Sequence, residues 1–257
     1  MRVQLVSCVM VTRDRPELAR RAVQCFLDQS WPHRELVILD DGDADYSPML
    51  DSLPLQGHRV RYHRVPSHPN VLLGALRNLS LDLSDGDWCI QWDDDEWYHP
   101  DRIAIQMAHH RGVAGVALQW TLVDVQSEDR GRLTFRADTG IATPGTILHR
   151  RDVARYPNVS RGEDAAFMRD VRRAGNLQVL GREFSHLFVR RFHGANTWDE
   201  QHFLARLRRR PIDVPSYALA RWWHHDLRRH RAFRLTASEQ ASIAALDHEL
   251  QPSGGQR

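Results

Sequence analysis

Four consecutive acids, Asp93-Asp94-Asp95-Glu96, follow the apolar run Trp88-Cys89-Ile90-Gln91-Trp92, with no lysine or arginine among them to balance their charge. Carboxylates this close repel one another unless a cation or water screens them. In an open α/β sheet, ligands gather beyond the carboxyl ends of the strands, so acids placed there suggest a divalent metal together with an anionic ligand. The plainer alternative is a solvated acidic turn leading into a helix opened by Pro100. Two further polar clusters stand in the same relation to apolar runs: Thr12-Arg13-Asp14-Arg15 after Val3 to Val11, and Asp40-Asp41-Gly42-Asp43 after Glu35-Leu36-Val37-Ile38-Leu39.

The elements that must position these clusters follow from periodicity. Val3 to Val11 predicts a buried strand, and a helix follows from about Glu17 to Asp28. Glu35 to Leu39 and Arg59 to Val65 predict the next two strands. Asn70 to Leu83 then predicts a helix with Leu72, Leu73, Leu76 and Leu79 on one side, and Asp85-Gly86-Asp87 makes the turn into the acid-bearing strand. Such alternation gives a mostly parallel central sheet flanked by helices, with the three clusters along one edge. Beyond Pro100 the pattern predicts a helix to about His110 and strands over Val113 to Val125, Arg132 to Arg136 and Thr146 to His149. A helix from about Gly162 to Gly175 follows, then strands at Leu177 to Leu180 and Ser185 to Phe192. After Trp198 the chain turns to long, arginine-rich helical segments broken at Pro211 and Pro215. Thr236-x-x-Glu239 caps a last helix reaching about Leu250, and residues 252–257 look disordered.

Composition narrows the class. The chain has 257 residues and a formal charge of +2, so no whole-molecule field calls for nucleic acid. Cys8, Cys25 and Cys89 lie in apolar segments without metal-ligand or disulfide spacing, which suits buried thiols in a reducing compartment. No apolar stretch is long enough to span a bilayer, and a cytoplasmic protein is expected. The run Arg221-Trp222-Trp223-His224-His225, followed by Arg228-Arg229-His230-Arg231, leaves peripheral contact with the inner membrane face open. The favoured reading buries Trp222 or Trp223 against the core with the arginines hydrated.

In this order, the motifs from about Val3 to Trp198 resemble the family 2 glycosyltransferases of the GT-A fold. Val6-Ser7-Cys8-Val9-Met10-Val11-Thr12-Arg13-Asp14-Arg15-Pro16 is similar to the family's opening strand and nucleotide-contacting loop, with Arg13-Asp14 in place of the usual Tyr-Asn. Leu39-Asp40-Asp41-Gly42-Asp43 resembles Val-Asp-Asp-Gly-Ser and implies that Asp40 reads the nucleobase. Gly74-Ala75-Leu76-Arg77-Asn78 is similar to the Gly-x-x-x-Ala-Arg-Asn segment and makes Arg77 a nucleotide or diphosphate contact. Asp93-Asp94-Asp95 fills the Asp-x-Asp position. Arg161-Gly162-Glu163-Asp164 resembles the Gly-Glu-Asp motif, whose aspartate is the general base. His193, in Arg190-Arg191-Phe192-His193-Gly194, falls where related enzymes place a metal-binding or phosphate-contacting histidine.

The resemblance implies a metal-dependent, inverting enzyme that moves one sugar from a nucleotide-sugar donor, a UDP-sugar, to the hydroxyl of an acceptor the sequence does not identify. Thr12, Arg13, Arg15, Asp40, Arg77, Asp93 and Asp94 would bind the donor. Asp95, Asp93 and His193 would hold Mn²⁺ or Mg²⁺, and Asp164 would take the acceptor proton. The implied organisation is a GT-A domain over 1–198, comprising a nucleotide-sugar half (about 1–116) and an acceptor half (about 117–198), then a helical C-terminal extension over 199–251 and a tail. A plainer role exists for the Gly-Glu-Asp segment, since Ser160-x-x-Glu163 is also a capping box. The rival functions are a nucleotidyltransferase using the same carboxylates, with Arg13 and Arg15 on the triphosphate, and a non-catalytic module binding sugar nucleotides or nucleic acid.

Overall fold

The computed structural model describes residues 4–194, 196 and 199–251; the readings made for residues 1–3, 195, 197, 198 and the tail 252–257 lie outside the described residues. The strands are β1 (Val6–Thr12), β2 (Arg34–Asp40), β3 (Arg59–Arg64), β4 (Trp88–Gln91), β5 (Trp97–Tyr98), β6 (Gly115–Leu118), β7 (Trp120–Ser127), β8 (Gly131–Asp138), β9 (Leu148–Arg150), β10 (Leu177–Leu180) and β11 (Phe188–Phe192). The helices are α1 (Pro16–Leu27), α2 (Ser47–Asp51), α3 (Leu73–Asp82), α4 (Arg102–Ala108), α5 (Glu163–Ala174), α6 (Glu200–Leu204), α7 (Val214–Ala218) and α8 (Ala237–Leu250). Two compact units result, one from 1–117 with 144–179 and the other from 118–143 with 180–257.

The first unit is built on a sheet ordered β10-β6-β9-β4-β1-β2-β3. β1 pairs in parallel with β2 on one side and β4 on the other, and β2 continues in parallel to β3. β9 is the exception, running antiparallel between β4 and β6. A strand in the middle of a parallel sheet is covered on both faces, which is why β1 reads as a continuous apolar run. Its Val6, Cys8, Val9 and Met10 are all buried, and a side chain of this size contributes roughly 1.5–3 kcal/mol when fully buried. Glu35, a charge fully buried in β2, is satisfied by Ser7 Oγ at 2.6 Å, the Asp85 N–H at 2.7 Å and Arg61 at 3.0 Å.

Pro16 stands in the first turn of α1, where its missing N–H costs nothing, and Ala19, Ala22, Val23 and Phe26 at helical spacing turn inward. α3 corrects the expected leucine face. Its buried side is Leu76, Arg77, Ser80 and Leu81, while Leu72 and Leu79 are exposed. The rotation has two causes. At Gly74 a Cβ would lie 1.7 Å from the Pro157 carbonyl oxygen, so only glycine admits that approach. Asn78 then clamps the same loop through both Tyr156 backbone groups at 2.8 Å.

In the second unit β7 pairs antiparallel with β8 and parallel with β11. Val123, Val125, Leu133 and Phe135 pack there with Phe203 and Leu207. The capping box at Thr236 and Glu239 forms as expected and opens α8. Glu239 also accepts from Arg136 at 2.7 Å and from Ser185 at 2.5 Å, tying α8 to β8. The long helices expected after Trp198 are instead short turns, because Pro211 and Pro215 each start a piece rather than interrupt one. Trp222 or Trp223 was expected to pack against the core, but they are 71% and 78% exposed. Neither points inward because Ala220, between Leu219 and Arg221, takes the buried position of that turn.

Candidate active site

Parallel pairing sets Thr12 opposite Asp40 and Val9 opposite Gln91, so the residues after β4 come level with the ends of β1 and β2. The Trp92 N–H donates to the Val9 carbonyl at 3.0 Å and carries the chain past the edge. Thr12 Oγ1 then donates to Asp94 Oδ2 at 2.6 Å and lies 2.8 Å from the Tyr46 hydroxyl, which also accepts from the Arg15 N–H at 3.0 Å. Arg15 reaches Asp94 Oδ1 at 2.8 Å and Asp95 Oδ2 at 3.5 Å. The loop after β1 and the acidic run are thus a single hydrogen-bonded unit.

Asp93 belongs to a second network. Arg77 Nη2 donates to its Oδ1 at 2.9 Å, Gln91 Nε2 to its Oδ2 at 2.9 Å, and the Tyr98 hydroxyl to its backbone carbonyl at 2.9 Å. Arg77 Nε donates to Glu163 Oε1 at 3.1 Å, so one buried guanidinium joins the acidic run to the Gly-Glu-Asp segment. The capping box expected at Ser160 does not form. The residue before α5 is Gly162 in the left-handed region at φ 76°, no side chain caps the helix, and Glu163 turns inward to Arg77 instead. Burial works against the charged form of Arg77, but Asp93, Tyr156 and Glu163 outweigh it and raise its pKa.

Asp40 is fully buried, and its carboxylate accepts from the Gly42 N–H at 2.8 Å and from the Tyr62 hydroxyl at 2.7 Å. Burial and this bond push the Tyr62 phenol well up. Arg13 contacts Ser67 and lies 3.7 Å from Asp41. Asp14, at φ 51°, accepts from the Asp43 and Ala44 N–H groups at 2.6 and 2.9 Å, which lowers its pKa and laces the first loop to the second. A Cβ at Gly42 would stand 2.5 Å from Asp14 Oδ1, so this crossing requires the glycine.

Within the acidic run Asp94 is a perturbed carboxyl. Burial, followed by the charge on Asp95, raises Asp94 to about 7, against the opposing pull of Arg15 and the Thr12 hydrogen bond. Among the described residues no three His, Cys, Asp or Glu side chains gather into a complete metal cage. Hard oxygen donors presented by one or two carboxylates nevertheless suit Mg²⁺ or Mn²⁺, which take the rest of their shell from water and phosphate oxygens. The residues present therefore fit such an ion.

Asp164, in the first turn of α5, is half-buried, and one of its oxygens accepts from the Ala165 N–H at 2.7 Å. His193 follows β11 in the second unit, with its backbone N–H bonded to Asn196 at 2.8 Å. The first unit therefore brings together Thr12, Arg13, Arg15, Asp40, Arg77, Asp93, Asp94, Asp95 and Asp164, and His193 stands outside that unit. Tyr46, Tyr62, Gln91, Glu163 and Tyr156 are participants that sequence reasoning did not assign to the site. Gln91 carried a usable signal, being the one strongly polar residue in the apolar run of β4. The tyrosines carried none, because the hydroxyls of Tyr46 and Tyr62 and the ring of Tyr156 matter only through partners distant in the chain.

A sequence profile described as glycosyl transferase family 2 matches residues 7–172, and the chain belongs to that family. WcaA of Escherichia coli K12 is 30% identical over 108 residues, covering 41% of this chain. That alignment spans 37% of WcaA, about a third of its length. Among solved structures, S. aureus TarS in complex with UDP matches with a TM-score of 0.58 at 12% identity, covering 93% of this chain and 78% of TarS. The mannosyltransferase PcManGT from Pyrobaculum calidifontis, in complex with GDP-Man and Mn²⁺, matches with a TM-score of 0.57 at 12% identity, covering 95% of this chain and 74% of that one. At such identities the likeness concerns the fold, a GT-A arrangement with a mostly parallel central sheet and flanking helices.

Proposed function

We propose that the protein transfers one sugar, with inversion, from a UDP-sugar to an acceptor hydroxyl in a reaction that needs Mn²⁺ or Mg²⁺. One observation carries this reading: the ends of β1, β2 and β4 deliver Thr12 to Arg15, Asp40 to Asp43 and Asp93 to Asp95 to one edge of a parallel sheet, the position at which such sheets bind ligands. Family membership and the nucleotide-bearing neighbours support it.

In this reading Asp93 and Asp95 hold the ion, which offsets the charge gathering on the departing diphosphate. Arg15 and Arg77 orient the carboxylates, and Thr12 fixes Asp94. Asp164 accepts the acceptor's proton, a role supported by its partial exposure and by a second oxygen with no partner among the described residues. A cytoplasmic setting belongs to the same proposal, supported by three buried free thiols.

The test is a screen of nucleotide sugars with and without Mn²⁺, carried out on the native protein and on Asp164→Asn. The expected result is metal-dependent donor binding in both and transfer in the native protein alone, slowed at least about a hundredfold by the substitution. Transfer by Asp164→Asn at a near-normal rate would remove Asp164 from the base role, and donor binding indifferent to metal would remove the ion.

A further inference from the structure

The second unit contains a cavity of about 380 Å³, separate from every residue discussed as donor-binding. Arg136, Arg182, Arg206, Arg210, Arg231 and Arg234 line it, against Asp138 and Asp213. Even after Glu239 is counted, which neutralises Arg136 from behind at 2.7 Å, arginines exceed carboxylates by three.

Five of these arginines fall into two sets. Arg136 is anchored by Glu239, and Arg231 donates through Nε to Asp213 at 2.6 Å, so these two build the wall. Arg182 and Arg234 are exposed, and among the described residues neither guanidinium has a carboxylate partner. Arg210 lies over the Trp120 ring at 5.3 Å and has only a 3.6 Å contact with Asp138. Arg210 is paired with Asp138 yet half-exposed, so Arg182 and Arg234 are the guanidinium groups without a carboxylate among the described residues; together they raise a positive field at the mouth and offer planar forks, the geometry that recognises phosphate oxygens in pairs.

We propose that this cavity binds a phosphate ester, held by Arg182, Arg210 and Arg234 at the rim. Its lip supplies a second observation. Ile212, which lines the cavity, is 60% exposed and leads into a stretch on which Val214, Leu219, Trp222 and Trp223 are exposed as well. Exposed tryptophans beside arginines suit the boundary between lipid headgroups and water, so the phosphate could be that of a soluble ester or of a lipid headgroup.

The experiment separates these sources on the full chain. Inorganic pyrophosphate is titrated by calorimetry in EDTA, which removes any metal-assisted binding at the acidic run. In parallel, co-sedimentation compares phosphatidylcholine vesicles with vesicles containing phosphatidic acid. Each measurement is repeated on R182Q/R234Q, on R182E/R234E and on W222A/W223A. The expected result is saturable binding of at least one phosphate probe, weakened about tenfold by R182Q/R234Q and further by R182E/R234E, with the thermal midpoint unchanged. Binding of pyrophosphate alone assigns a soluble ester. Binding of phosphatidic acid vesicles that is lost in both arginine variants assigns a headgroup. The proposal is overturned if neither probe binds, if binding survives both arginine variants, or if vesicle binding depends on Trp222 and Trp223 alone.

Discussion

Arg77 offers the sharpest test of how the acidic run is held. Its side chain is 7% exposed and reaches Asp93 at 2.9 Å and Glu163 at 3.1 Å, with side-chain exposures of 20% and 5% for those two partners. Substituting Arg77→Met keeps much of the volume and removes the cation that bridges the two carboxylates. Breaking a buried ion pair by deleting one partner costs about 3–5 kcal/mol, because the remaining charge is left without compensation. Asp93 is the more exposed partner and can relax toward water, so the expected loss at pH 7 lies near the lower end, about 3 kcal/mol. The pH dependence has a definite sign. Burial already raises Glu163 while Arg77 holds it down, so removal of Arg77 raises it further. A carboxyl whose folded pKa lies above its unfolded value stabilises the fold while protonated and loses that contribution as pH rises through the folded value. The deficit of Arg77→Met relative to the native protein should therefore shrink on going from pH 7 to pH 5. Urea unfolding followed by tryptophan fluorescence at the two pH values measures both effects, and the double substitution Arg77→Met with Glu163→Gln should recover part of the loss. A deficit under about 1 kcal/mol, or one that is the same at both pH values, would refute the reasoning by showing that water already serves these carboxylates.

Gly74→Ala should cost about 3 kcal/mol or more and shift the urea midpoint, since its Cβ would meet the Pro157 carbonyl at 1.7 Å and backbone must move; a neutral result would mean that the loop yields freely. Glu239→Gln leaves the buried Arg136 without its counter-charge and should destabilise by about 3 kcal/mol at neutral pH. Hydrogen bonds from Arg136, Ser185 and the Thr236 N–H lower the Glu239 pKa, so its contribution is present above its ordinary value near 4.5 and fades as pH falls. Unfolding curves of the two proteins should converge below that value, and a constant gap would contradict the assignment. His149, fully buried and edge-on to Phe167 at 4.6 Å, is pushed by burial from 6.5 to about 4. Its depressed value makes stability fall by about 3 kcal/mol as pH drops from 6.5 to 4, a decline His149→Phe should lack if the larger ring is accommodated.

The sequence by itself determined the succession β1, α1, β2, β3, α3 and β4, though not the short α2 and β5, because a central parallel strand must be apolar throughout and its helices must carry an apolar face. It likewise determined which polar clusters share an edge, since every strand that precedes one runs in the same direction. Periodicity is a local property and was legible. It failed for α3, where the buried face was set by Gly74 against Pro157 and by Arg77 against Glu163, contacts that join positions more than 80 residues apart. It failed between Trp198 and Thr236 as well, where short turns replace long helices, whereas the last helix, α8, was legible from its capping box.

Only the tertiary structure decided how charge is compensated. In sequence the acids from Asp93 to Asp95 stand without a cation, yet Arg15 and Arg77 arrive from other elements to meet them. Glu163 looked like a cap and is instead a buried counter-ion, because Gly162 turns the chain so that its side chain enters rather than wraps the helix end. Which charges pair depends on their separation in space, which position along the chain does not give, whereas burial of a strand depends on its own composition.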